Sequence, residues 1–282
     1  MPRLVTTREE LSTAIRDARR AGQRIGLVPT MGALHRGHLS LVSASRGISD
    51  LTVVTIFVNP TQFGQHEDFG RYPRTLDNDL KLLESVGAEL VFAPAASEIY
   101  PPGHTTFVEV GAVAEPLDGA ARPGHFRGVA TVVLKLFHLI PADAAFFGQK
   151  DYQQSLVIRR MVADLDVPIE IYVCPIVRED DGLAMSSRNV YLSPEERQHA
   201  LVLSRSLKAA AALVADGQRN AKEVSRQMRA RIEAEPGVNL EYAVVANAET
   251  LADVDKIDGP TVALVAARVG KTRLIDNEIL VP

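Results

Sequence analysis

The 282-residue chain has no tryptophan and a single cysteine. Cys174 cannot form an intramolecular disulfide, which excludes a disulfide-stapled scaffold and points to a reducing compartment. An excess of either charge is lacking as well. The formal net charge is −4, divided evenly between residues 1–176 and 177–282. Neither part is a basic module of the kind that coats nucleic acid or an anionic membrane, since such binding needs clustered Lys and Arg. The longest nearly apolar stretch, 129–140, is broken by Lys135 and His138 and falls short of the ~20 apolar residues of a membrane span. The N-terminal ten residues, with Arg3, Arg8, Glu9 and Glu10, are too polar and acidic for a secretory leader. What is present is an ordinary globular composition, 46% hydrophobic and 23% charged. The expectation is a soluble, cytoplasmic protein with no nucleic-acid or membrane partner, long enough for two domains or one large one.

The hydropathy pattern divides the chain. Thr7 and Glu10 form a capping-box pattern ahead of Leu11, Ile15 and Ala18, and Gly22 ends that helix. Short apolar strands at 25–28, 51–58, 89–93, 144–147 and 169–173 alternate with helices. These helices begin near 37, run from the cap Thr75 to about 86, and span 127–140 and 151–165. Residues 94–126 are rich in Pro and Gly and read as loops around one strand at 105–110. Alternation of this kind implies βαβ units, hence an α/β fold with a Rossmann-like doubly wound parallel sheet. Beyond about 176 the order changes. Ser193 caps a helix with Pro194 in its first turn, a second helix spans 221–235, and strands follow at 240–246, 261–267 and 272–276. A smaller C-terminal α+β domain is expected there, giving domains 1–176 and 177–282.

Ligands of a doubly wound sheet bind beyond the carboxyl ends of its strands, so the residues after each strand are the candidates. After 25–28 comes Pro29-Thr30-Met31-Gly32-Ala33-Leu34-His35-Arg36-Gly37-His38. Its two glycines permit close backbone approach. Its two histidines stand at the start of a helix, where unpaired N–H groups hold phosphate and a histidine can donate to developing charge. The alternatives are two incidental surface histidines, or a metal pair, which lacks a third ligand of matching spacing. After 144–147 comes Gly148-Gln149-Lys150-Asp151. Lys150 offers a point charge for phosphate, while Asp151 either caps the next helix or binds ribose hydroxyls. Beyond 169–173, Met185-Ser186-Ser187-Arg188 places two hydroxyls and a guanidinium in a flexible loop that can grip a polyphosphate. After 51–58, Gln62 either reads a hydroxyl or carboxylate or is a plain exposed amide. Gly270-Lys271-Thr272 ends like a P-loop, but Val265 stands where the first glycine belongs. His66-Glu67-Asp68 reads as solvated loop charge.

Together these segments, with Asn59-Pro60-Thr61-Gln62-Phe63, Tyr72-Pro73-Arg74-Thr75, Arg127-Gly128-Val129-Ala130-Thr131 and Phe147-Gly148-Gln149-Lys150-Asp151, stand in the order found in the pantothenate synthetase family. The chain resembles that family over essentially its whole length. Its His-x-Gly-His and Met-Ser-Ser-Arg elements also resemble the paired signatures of the wider nucleotidylyltransferase and class I aminoacyl-tRNA synthetase superfamily. The resemblance implies an AMP-forming carbon–nitrogen ligase. ATP, (R)-pantoate and β-alanine would give pantothenate, AMP and pyrophosphate through an enzyme-bound pantoyl adenylate. Another small-acid adenylyltransferase of the superfamily is the alternative.

Carried over by position, the resemblance implies an ATP site made by Met31, Gly32, Ala33, Leu34, His35, Arg36, Gly37 and His38. Gly148, Gln149, Lys150 and Asp151 join it, as do the Val177 backbone and Met185, Ser186, Ser187 and Arg188. The implied catalytic group is His38, in the proton donor's place, with His35, Lys150 and Arg188. Gln62 and Gln154 would hold pantoate, with Gln62 also next to β-alanine. Residues 1–176 would bind ATP and pantoate, and 177–282 would act as a lid. Mg2+ is implied alongside ATP. Many relatives carry two adjacent acids where this chain has Asn78-Asp79, so Asp79 is the metal candidate and Asp77 the reserve. A homodimer is implied as well.

Overall fold

The computed structural model describes residues 1–64 and 67–282. The chain forms two compact units, Met1–Gly148 with Gln153–Pro175, and Gln149–Tyr152 with Ile176–Pro282.

Among the described residues of the first unit, six strands form one sheet. They are β1 (Arg3–Val5), β2 (Ile25–Thr30), β3 (Leu51–Ile56), β4 (Leu90–Phe92), β5 (Ala144–Gly148) and β6 (Glu170–Cys174). Their order is β1-β4-β3-β2-β5-β6, and every pairing is parallel. The helices between them are α1 (Arg8–Arg20), α2 (Arg36–Arg46), α3 (Leu76–Ser85), the short α4 (Ala96–Ile99) and α5 (Asp118–Ala121), α6 (His125–Leu139) and α7 (Tyr152–Asp164). This is the expected Rossmann-like doubly wound architecture. Successive strand residues point to opposite faces, and both faces are apolar. Leu27, Val53, Phe92 and Phe147 pack with Val133 of α6 and Ile158 of α7. Val28, Val54, Val91 and Phe146 pack with Val42 of α2 and Leu83 of α3. The strand order reverses between β2 and β5. A crevice opens outside the carboxyl ends at such a reversal, because the connections leave in opposite directions.

Local signals explain the element ends. The Thr7 hydroxyl accepts the Glu10 N–H at 3.2 Å, and the Glu10 carboxylate accepts the Thr7 N–H at 3.1 Å, closing the capping box of α1. Three expectations need correction. Residues 105–110 form no strand: the Val108 N–H donates to the Thr131 hydroxyl of α6 at 2.9 Å instead of to a ladder. Helix α6 begins at His125, two residues early, because Gly124 takes a left-handed φ of 82° and turns the chain into it. Thr75 precedes α3, but its hydroxyl donates to Asp79 at 3.1 Å and leaves the helix uncapped by its side chain. Strand β1 was absent from the sequence pattern, being three residues long with two of them exposed.

The second unit contains α8 (Pro194–Ala215), α9 (Ala221–Glu233), and an antiparallel sheet of β7 (Val238–Asn247), β8 (Thr261–Val269) and β9 (Thr272–Leu280), ordered β7-β8-β9. Ser193 and Glu196 complete the capping box of α8. Leu203 and Leu207 of α8 and Val224 and Met228 of α9 bury against Val265 and Ala267. Gly270, at φ 56°, and Lys271 form the two-residue turn between β8 and β9, so the Gly-Lys-Thr triplet is a hairpin. Among the described residues no helix is long and apolar enough to cross a membrane.

Candidate active site

In the first unit, residues 31–35 lead from β2 into α2. Gly32 and Ala33 are both left-handed, at φ 81° and 50°. A β-carbon on Gly32 would sit 3.1 Å from both the Asp79 Oδ2 and the Ile56 Cγ2, so this turn suits glycine. Ala33 has no such freedom and is held from outside. The Asp79 Oδ2 accepts its N–H at 3.0 Å, and the Asp79 Oδ1 accepts the Leu34 N–H at 2.9 Å. Asp79 is fully buried. Burial lifts its pKa above the usual aspartate value, against the pull of these backbone donors and of Thr75.

His35 is the N-cap of α2, and His38 lies in its first turn. Their ring centroids are 4.1 Å apart, and the His35 N–H donates to the His38 Nδ1 at 3.4 Å. With Nδ1 accepting, a neutral His38 carries its proton on Nε2 and is a donor there. Both rings are half-buried, and Arg36 is exposed.

Gln62 ends a short 3-10 turn, Pro60–Gln62, after β3, and it is buried rather than a plain exposed amide. Its Oε1 accepts the Asn59 Nδ2 at 3.0 Å, and its Nε2 lies 3.2 Å from the Met31 Sδ. Gln62 and the turn after β2 therefore meet at one sheet edge. The Gln62 carbonyl contacts the His125 Nδ1 at 2.9 Å, and the Arg122 guanidinium contacts the Nε2 at 2.9 Å. A carbonyl only accepts and a guanidinium only donates, so His125 is neutral with its proton on Nδ1. Burial, reinforced by the Arg122 charge, brings its pKa down to about 4. Arg122 also grips Glu67 with two nitrogens, at 2.6 and 2.8 Å. Burial alone would raise the Glu67 pKa, but the Arg122 contacts overcome it and hold it at about 2. Glu67 is thus an ion-pair partner and not solvated loop charge; His66 lies outside the described residues.

Gly148 ends β5, and Gln154 sits half-buried early in α7. Its neighbour Gln153 is the deeply buried one, accepting the Asp118 N–H and donating to the Val113 and Pro116 carbonyls.

In the second unit, Gln149–Asp151 form a 3-10 turn. The buried Asn277 of β9 donates to the Gln149 and Lys150 carbonyls at 2.9 and 3.0 Å, and its oxygen accepts the Gln149 side chain. Lys150 Nζ is 3.7 Å from the Asp151 carboxylate. The Val177 carbonyl accepts the Met185 N–H at 3.0 Å. Ser186 accepts the Arg188 N–H and caps the turn Ser187–Tyr191. The Asn189 side chain ties that turn to Glu179 and to the Ala184 carbonyl, and Arg197 pairs with Glu179 and Asp181. Of the expected loop at 185–188, Ser187 and Arg188 fall in this 3-10 turn and Met185 and Ser186 precede it. Asn277 carries no sequence signal, since a strand asparagine has no distinguishing neighbour.

Among the described residues no three His, Cys, Asp or Glu side chains gather to hold a metal. Asp79, the expected metal ligand, turns both oxygens onto backbone and hydroxyl donors in a buried position. Asp79 braces the turn after β2, whereas an Mg2+ carried on phosphate oxygens would need at most one or two carboxylates.

The chain is thus a doubly wound α/β protein with a His-x-Gly-His helix start beside the sheet's topological switch point. Residues 3–279 match the family model of pantoate-beta-alanine ligase. A pantothenate synthetase from Acetivibrio thermocellus is 53% identical over 278 residues, 99% of each chain. The crystal structure of pantothenate synthetase from Thermus thermophilus has a TM-score of 0.95 at 46% identity, covering 99% of this chain and 100% of that one. A pantoate-beta-alanine ligase from Francisella tularensis, complexed with beta-gamma ATP and beta-alanine, has a TM-score of 0.82 at 33% identity, covering 99% and 98%. The chain belongs to the pantoate–β-alanine ligase family.

Two consequences are measurable. Asp79→Ala should lower the unfolding free energy by about 1–3 kcal/mol in urea titrations, because two buried N–H groups lose their acceptor. Unchanged stability would fit a carboxylate reserved for a metal. His125 has a folded pKa near 4 against an ordinary 6.5, so its stabilisation is complete above 6.5 and is lost as pH falls toward 4. In thermal unfolding from pH 7 to pH 4, His125→Asn should fall less steeply than the parent chain, and parallel slopes would contradict the assignment.

Proposed function

We propose that this chain condenses (R)-pantoate with β-alanine, using ATP as co-substrate and releasing AMP and pyrophosphate. The observation that carries the reading is the His35–His38 pair at the start of α2, with the buried Gln62 amide against Met31 at the same sheet edge. In the first step a pantoate carboxylate oxygen attacks the α-phosphorus of ATP. The bond to the bridging oxygen breaks, and pyrophosphate leaves with the electron pair. A carboxylate is a poor acylating agent, and the resulting pantoyl adenylate carries a good leaving group. In the second step the β-alanine nitrogen attacks the acyl carbon, the bond to AMP breaks, and the amine gives a proton to water.

In this reading the N–H groups at the start of α2 and the His38 Nε2–H face phosphate oxygens as charge shifts onto them, with His35 alongside. Met31–Gly37, Gly148–Asp151, the Val177 backbone and Met185–Arg188 hold ATP, with Lys150 and Arg188 countering its charge. Gln62 and Gln154 bind pantoate. We assign residues 1–176 to ATP and pantoate binding and 177–282 to a lid. No step depends on a protein-held Mg2+. A homodimer is proposed from the family resemblance. It would give a partner to the edge strand β6, whose Tyr172 and Val173 are exposed. The location proposed is the cytoplasm.

The deciding experiment is pyrophosphate exchange into ATP. Exchange should require pantoate and proceed without β-alanine. Exchange that needs a different acid would move the chain to another small-acid adenylyltransferase. His38→Ala should slow adenylation by a factor of about 10² or more, as lost transition-state donors do. Near-normal adenylation with failed amide formation would remove His38 from the first step.

A further inference from the structure

The Gln62 side chain has a defined polarity. The Asn59 Nδ2 donates to the Gly128 carbonyl at 3.1 Å, and the Asn59 Oδ1 accepts the Thr61 N–H at 3.3 Å and the Tyr100 hydroxyl at 2.9 Å. A carbonyl cannot donate and a backbone N–H cannot accept, so the Asn59 amide has one orientation. The Asn59 nitrogen then faces the Gln62 Oε1, and the Gln62 NH2 is left facing the Met31 sulfur. A thioether is a weak acceptor, which an oxygen of an incoming acid would replace with gain.

That polarity is useful only if the Gln62 backbone stays in place, and the start of α6 holds it from two sides. His125 donates from Nδ1 to the Gln62 carbonyl, and both residues are buried. One turn further on, Gly128 lies so close that a β-carbon there would meet the Thr61 oxygen at 2.3 Å and the Gln62 Cα at 2.7 Å. Backbone on both sides cannot yield, so α6 can approach this closely only with glycine at 128. The His125 ring is itself held in the donating tautomer by Arg122, and Arg122 is anchored on Glu67. Glu67 in turn accepts the Gly64 N–H at 3.2 Å, two residues beyond Gln62.

We propose that Glu67, Arg122, His125 and Gly128 are positioning residues for acid-substrate recognition: together they fix the Gln62 backbone so that its NH2 faces an oxygen of the substrate. The proposal rests on the pantoate reading of Gln62 given above. None of the four is assigned contact with the reacting atoms.

The test uses steady-state kinetics of the full chain, with Gln62→Ala setting the scale. His125→Phe keeps a ring and removes the donor. It should raise the pantoate KM about tenfold or more, with ATP KM within about twofold and kcat changed less than the pantoate KM. His125→Asn, whose amide nitrogen can still donate to the Gln62 carbonyl, should recover most of that loss. Glu67→Gln should act in the same direction by about threefold, and it decides the matter if His125→Phe does not fold. A pantoate KM unmoved in these variants, or one rising no more than the ATP KM, overturns the proposal. If the parent chain itself shows no pantoate-dependent turnover, the substrate reading fails. Nitrogen-15 NMR of the His125 imidazole then judges the platform separately. A proton on Nδ1 that Arg122→Gln displaces supports it, and a resident Nε2–H tautomer overturns it.

Discussion

One buried carboxylate braces the turn from which the first unit's site grows. Residues 31–35 leave β2 through two consecutive left-handed positions, of which only the first is glycine. Asp79 supplies what Ala33 lacks, accepting the N–H groups of Ala33 and Leu34 from a fully buried position in α3. The start of α2, the facing of His35 on His38 and the contact of Met31 with Gln62 all follow from where that turn points the chain. A carboxylate is costly to bury, and the cost is tolerable only because each oxygen has donors.

The same rule orders the polar groups around Gln62. Glu67, Arg122, His125, Asn59 and Tyr100 are each wholly or partly withdrawn from water, and each is paired by a partner of the right donor or acceptor type. Removing one partner from such a chain leaves a desolvated group behind, which costs about 1–3 kcal/mol. An exposed pair such as Lys222–Asp255, with both side chains more than 80% accessible, competes with water throughout and contributes little. Strength and meaning therefore concentrate where burial is highest, beside the turn after β2 and beneath Gln62.

Much of the first unit was legible in the residues. The alternating apolar strands and helices have the observed pattern, the Thr7–Glu10 capping box forms as read, and Ser193 caps α8 as read. These signals are local: a cap acts within one helical turn, and a strand buried on both faces needs an uninterrupted apolar run. The misreadings share the opposite property. Residues 105–110 have strand-like composition, but the hydroxyl that takes the Val108 N–H belongs to Thr131. Glu67 looks solvated until Arg122 is brought to it from 55 residues away. Asp79 is a metal candidate by family resemblance alone, and only the fold delivers the Ala33 and Leu34 N–H groups that occupy its oxygens. Asn277 and Gln153 gave no signal, since a buried amide is distinguished only by the carbonyls around it.

Local residue patterns established most of the strands and helices, the class of fold and the His-x-Gly-His start of α2, and the motifs carried the resemblance to the family. Each of these rests on residue type and spacing along the chain. Packing set the environment of each side chain: which carboxylate braces a turn, which tautomer His125 holds, and which end of the Gln62 amide faces outward. Protonation and hydrogen-bond polarity depend on donors, acceptors and solvent exclusion supplied by residues distant in sequence, and those are fixed only when the chain has packed.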